Sequence, residues 1–185
     1  MPEEETAIAQ ELKTQALILG GLLAVMWIVE ILDQFVFRLG MRETLDIYGI
    51  IPRYPIGLRG ILFAPFLHGS FAHLIGNSIP FLILGWLVML RETRDFFWVT
   101  IVAGAVSGLG TWLFGSPGVH IGASGVIFGY LGYLLLRGYF ERKMLSIAIS
   151  LGVGFFYGSL LWGVLPLQYG ISWEGHLFGF LGGAL

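Results

Sequence analysis

Gly122-Ala123-Ser124-Gly125, followed by Gly129 and Gly132, places a serine between glycines where an uncharged loop turns into an apolar helix. Working outward from that junction decides the fold. The 185 residues are 56% hydrophobic and 12% charged, with a mean hydropathy of +0.82, far from the balance of a soluble domain. Apolar runs able to cross about 30 Å of hydrocarbon recur, and the length holds one bundle of roughly six helices. The expectation is an all-α polytopic membrane protein with a short polar tail over 1–14 and one membrane domain over 15–185.

The net charge of −2 and the lack of a basic tract argue against a nucleic-acid partner, and the absence of cysteine excludes disulfides and thiolate metal sites. Glu3, Glu4 and Glu5 stand where a signal peptide would be basic, so the start reads as a retained tail.

The first span is expected from Ala16 to Leu32, with Glu30 as an interfacial or bundle-facing carboxylate. A mixed connection runs from Phe35 to Leu67. Its run Ile61 to Leu67 is too short to span, so it reads as an interfacial or re-entrant segment. Further spans are expected over 71–90, 96–113, 124–136 and 145–165, with Pro80 kinking the second and Gly104 and Gly108 giving the third a close-contact face. The last helix opens at Trp173 and has only 13 residues before the sequence stops, roughly 20 Å of rise, so it reads as cut short.

Lys13, the Arg91/Arg94 turn and the Arg137/Arg142/Lys143 turn fall on one side if six helices alternate. That side is expected to be cytoplasmic, with the N-terminus. The starts of the second, fourth and sixth helices then share the extracytoplasmic face, and they carry His73 and Asn77, Ser124, and His176.

A Gly-x-Ser-Gly alone is weak evidence. Glycines spaced by four strengthen it: Gly125 and Gly129 beside the serine, and Gly175, Gly179 and Gly183 beside the histidine, clear one stripe of each helix for close approach. Facing stripes would bring Ser124 within reach of His176, which could take its proton and return it to a leaving amine. The competing reading makes Ser124 a helix cap and His176 a packed interface residue. Oxyanion donors would be the Ser124 backbone N–H, Asn77 and His73; otherwise the last two form a polar staple between helices.

No carboxylate is placed as a third triad member, and Glu174, on another face from His176, is expected at the lip. Phe128 shares a face with Ser124 and could stack on His176, with core packing as its alternative. His68 is expected to hydrogen-bond and hold the preceding loop, and His120 to be solvated in its own. Neither metal nor cofactor is called for.

These residues resemble the rhomboid intramembrane serine proteases. His68-Gly-Ser-Phe-Ala-His73-Leu-Ile-Gly-Asn77 looks like the family's His-x-x-x-x-His-x-x-x-Asn signature, Gly122 to Gly125 matches its nucleophile motif, and Gly175-His176-Leu-Phe-Gly179 resembles its general-base helix. The likeness runs from about Gly57 to the end.

The resemblance implies a six-helix rhomboid-like bundle with a partly embedded loop between the first two helices. It also implies a Ser124/His176 dyad, a water-filled cavity open to the outer face, and substrates that are transmembrane helices unwinding at small or helix-breaking residues. A multi-pass protein of the plasma membrane, prokaryotic in type, is expected. Two departures stand out: Leu58-Arg59-Gly60 replaces the usual Trp-Arg of the embedded loop, and Phe128 stands where tyrosine is common. The alternatives are a rhomboid-like protein that binds transmembrane helices without cutting them, and a small transporter, which would carry its broken helices at the midplane.

Overall fold

The computed structural model describes residues 2–167 and 170–185, with side chains from Glu4 onward. Met1 of the expected tail, and residues 168 and 169 of the expected loop before the last helix, lie outside it. Among the described residues the chain forms α1 (Pro2–Leu32), the one-turn α2 (Gly60–Phe63), α3 (Phe71–Met89), α4 (Thr93–Phe114), α5 (Ser124–Glu141), α6 (Met144–Tyr157) and α7 (Trp173–Ala184).

Among the described residues, four stretches are long and apolar enough to cross a membrane: Glu4–Met41, Phe71–Met89, Thr93–Phe114 and Met144–Val164. The other two of the six expected spans are α5, with four glycines, and the 12-residue α7; both pack among the outer helices. This is a multi-pass membrane protein with an all-helical bundle among the described residues.

The polar residues expected as a separate tail form the first turns of α1. Glu, Ala, Gln and Lys are good helix formers, so nothing in them stops the helix short of the apolar part. At the far end α1 passes directly into a π-helical segment, Asp33–Met41, which stops at Arg42 in the left-handed conformation (φ 56°).

Asp33 organises the chain just beyond α1. Its carboxylate accepts from Arg38 Nε (2.6 Å), the Leu45 N–H (2.5 Å) and the Thr44 hydroxyl (3.2 Å), and Arg38 also pairs with Asp46. The connection to α3 then runs through short helical turns, with Pro55–Phe66 apolar but too short to span. Arg59 donates to the Ile47 carbonyl at 2.8 Å and lies over the Tyr48 ring at 4.5 Å.

The core gathers around α5, whose Phe128, Tyr130, Leu131 and Leu134 are all buried. Tyr130 meets Phe81 of α3 and Phe96 of α4, and its hydroxyl finds Thr100 at 2.7 Å, so the polar end of this buried ring is partnered. α6 reaches this core through Val153 and otherwise shows most of its surface.

Lys13 of α1 and the two turns rich in basic residues share one end of the bundle. Gln15, near Lys13, bonds the Met89 carbonyl and Thr93, while Arg91 reaches Glu141 at 3.2 Å. The starts of α3, α5 and α7 meet at the other.

Candidate active site

A cavity of about 1030 Å³ opens at that second end, with His73, Asn77, Ser124 and His176 in its wall. Ser124 is the first residue of α5, placed by the turn before it. Gly122 adopts φ +113°, and its N–H donates to the Ala64 carbonyl at 2.8 Å. A side chain there would meet the His73 ring at 2.8 Å as well as being strained, so this position requires glycine twice over.

α7 reaches Ser124 because two backbones touch. A Cβ on Gly179 would run into the Gly125 carbonyl, and one on Gly183 into that of Gly129. The expected glycine stripes therefore do face each other. Gly125 and Gly129 serve a second neighbour too, lying against Ser107 and Ala103 of α4.

The result is a hydrogen bond of 2.8 Å between His176 Nε2 and Ser124 Oγ. On the other side of the ring, Nδ1 lies 2.9 Å from the Gly163 carbonyl. A carbonyl only accepts, so Nδ1 carries the proton and donates it, which leaves Nε2 as the acceptor for the serine hydroxyl. Phe128 stacks on the imidazole with centroids 4.1 Å apart and planes 6° from parallel. Ring orientation is thus fixed by a stack and a backbone carbonyl, without a carboxylate.

His73 and Asn77 lie one turn apart on α3, beside the missing side chain of Gly122. The Asn77 amide nitrogen is buried and has no hydrogen-bond partner among the described residues, so it is a donor free to serve something in the cavity. The Ser124 N–H belongs to the first turn of α5, where no carbonyl precedes it to accept.

His68 is buried and meets His73 edge-on at 5.0 Å, and neither ring nitrogen makes a hydrogen bond of normal geometry among the described residues, so the expected hydrogen bond to the preceding loop is replaced by packing against the His73 ring. Its burial pushes the imidazole down to about 4.

Two expectations change. Glu174 is not at an open lip: it is 2% exposed, and its Oε1 accepts from both the N–H and the hydroxyl of Ser116. His120 is not merely solvated, since its ring bonds Ser172 at 2.7 Å and the Ser116 carbonyl at 2.8 Å, and its backbone pairs with Ile50. Both departures have one cause. Carboxylates and imidazoles near an apolar interior gain from partners on neighbouring loops, and those partners are distant in sequence. The Gly163 carbonyl was equally invisible in the sequence, because a backbone acceptor leaves no residue signature.

Comparison with known proteins agrees with this architecture. The Rhomboid domain matches residues 57–185. The chain is 41% identical to the uncharacterized protein Rv1337 of Mycobacterium tuberculosis over 97% of its own length and 79% of the relative's. It is 38% identical to the uncharacterized protein ML1171 of Mycobacterium leprae, over 100% of this chain and 78% of that one. The rhomboid protease GluP of Bacillus subtilis is 31% identical across 63% of this chain and 23% of its own. The match over most of the chain establishes that it belongs to the rhomboid family.

Proposed function

We propose that the chain is an intramembrane serine endopeptidase that cleaves transmembrane segments of other membrane proteins. The observation that carries this reading is the 2.8 Å contact between His176 Nε2 and Ser124 Oγ at the wall of a cavity that His73 and Asn77 also line.

In this reading Ser124 Oγ attacks the scissile carbonyl while its proton passes to His176 Nε2. The Ser124 N–H, the Asn77 amide and a ring N–H of His73 surround the oxyanion that forms. The protonated His176 then gives its proton to the leaving amine nitrogen as the C–N bond breaks, leaving an acyl-enzyme. A water molecule, deprotonated by the same Nε2, attacks the ester carbonyl; the proton then passes from Nε2 to Ser124 Oγ as the C–O bond breaks, which frees the new carboxyl group and restores the serine hydroxyl. The Gly163 carbonyl and the Phe128 ring hold the imidazole in place through both steps.

The substrate must offer an extended backbone to this cavity, and a helix keeps its carbonyls occupied. Small and helix-breaking residues lower the cost of unwinding, so segments carrying them are the proposed substrate class. The end of the bundle holding Lys13, Arg91, Arg94, Arg137, Arg142 and Lys143 is the proposed cytoplasmic side, which places the dyad toward the extracytoplasmic face.

The test is reconstitution in vesicles with a single-span substrate. Cleavage is expected from the native sequence and should fall at least about 10³-fold in Ser124→Ala and His176→Ala. Unchanged cleavage in either variant would sink the dyad. A folded native protein that binds the segment but leaves it whole would favour a non-catalytic helix binder.

A further inference from the structure

The nucleophile and the base stand on different helices, and at the cavity mouth a polar network joins the segments that lead into them. Ser116 and His120 belong to the stretch that ends at Ser124, while Ser172 and Glu174 belong to the stretch that ends at His176. Glu174 Oε1 accepts from the Ser116 N–H at 2.8 Å and from the Ser116 hydroxyl at 2.6 Å. His120 adds two more ties, Nδ1 to Ser172 Oγ at 2.7 Å and Nε2 to the Ser116 carbonyl at 2.8 Å. Behind them Ser107 of α4 donates to the Gly175 carbonyl at 2.8 Å, bracing the same first turn of α7.

We infer that Glu174 is a positioning residue, whose carboxylate clamps the 115–123 loop to the first turn of α7 and thereby sets the spacing of Ser124 and His176. The inference rests on the reading of those two residues as nucleophile and base. A buried carboxylate is costly unless its charge is met; two donors from one residue meet Oε1, while Oε2 is buried without a hydrogen-bond partner among the described residues, so the clamp carries the whole of the compensation that side chains and loops supply here. Its place in the first turn of α7 suits a negative charge, because the helix N-terminus carries partial positive charge. Glu174 lies only two residues from the base, so a shift of its turn is passed on with little attenuation. The dyad contact sits inside a hydrogen-bond window only a few tenths of an ångström wide, so small drift of either segment disconnects it.

The experiment compares Glu174→Ala with Glu174→Gln, reading kcat and KM on a single-span substrate and amide hydrogen exchange over residues 116–122. Glu174→Ala is expected to lower kcat by about thirtyfold while KM moves less than about threefold, since positioning acts on the chemical step. Glu174→Gln keeps the acceptor oxygen and is expected to recover to within about threefold of the native rate. Exchange over 116–122 should accelerate in the alanine variant and stay native in the glutamine variant.

A native kcat in Glu174→Ala would overturn the clamp. So would equal losses in both variants with unchanged exchange, which would point to the charge rather than the geometry. Should the alanine variant fail to fold, Ser116→Ala carries the test. It deletes one of the two donors, so a fall of about threefold in kcat is expected, and a native value overturns the inference. A native protein without any cleavage would refute the proteolytic reading alone, because the exchange measurement still decides whether the clamp exists.

Discussion

The interface of α5 with α7 and the flank formed by α6 are built on opposite plans. Between α5 and α7, glycines let carbonyls of one helix touch Cα positions of the other, and Ser124 and His176 meet at the end of that seam. α6 instead turns large side chains outward, with Phe155 at 83% and Phe156 at 75% exposure, and only 11% of its span is buried. Yet its 3₁₀ continuation, Gly158–Val164, supplies the Gly163 carbonyl that fixes the His176 ring. The lesson is a division of labour. Close backbone packing sets the distance between Ser124 and His176, and an outward-facing flank contributes one acceptor that sets which nitrogen faces the serine.

The sharpest way to break that contrast is to place a side chain in the seam. Gly179→Val must push α7 away from the Gly125 carbonyl, and a displacement near 1 Å is expected to cut cleavage by about a hundredfold or more. Native cleavage would show that the seam does not govern the dyad. Phe128 comes next. Phe128→Ala removes the stack on His176 and is expected to cost about tenfold in kcat, whereas Phe128→Tyr keeps the ring and should stay within about threefold.

A third measurement concerns stability rather than rate. His68 has a folded-state value near 4, below the roughly 6.5 of an exposed imidazole, so protonation favours the unfolded chain. Its contribution is present above about pH 6.5 and is lost as pH falls toward 4. Thermal midpoints should therefore drop across that window, and less steeply in His68→Asn; equal slopes would show that His68 is not the titrating group. On the α6 flank the expected effect is smallest. Phe155→Ala should leave cleavage within about twofold, because the side chain exchanges one apolar surrounding for another. A large loss there would erase the contrast with the seam.

Much of this was legible in the residues. The helix starts at Phe71, Ser124 and Trp173 follow from polar loops giving way to apolar runs, and their common end follows from alternation. The four-residue spacing of Gly179 and Gly183 announced a close contact and correctly pointed it at Gly125 and Gly129. The continuation of α1 to Met41 was not legible, because Arg38 and Asp33 look like loop residues until their pairing with Asp46 and Thr44 is seen. Glu174 and His120 were misplaced for the same reason, each being satisfied by a partner more than 50 residues away.

The sequence by itself determined the membrane class, the order of the spans and the residue types able to do acyl-transfer chemistry. Those properties depend on local composition and periodicity, which burial in lipid translates directly into helices. The tertiary structure alone decided which nitrogen of His176 faces Ser124, through the Gly163 carbonyl, and how the two loops are joined, through Ser116 and Glu174. Backbone acceptors and long-range hydrogen bonds have no periodicity to read, since any residue can supply them once the fold brings it near.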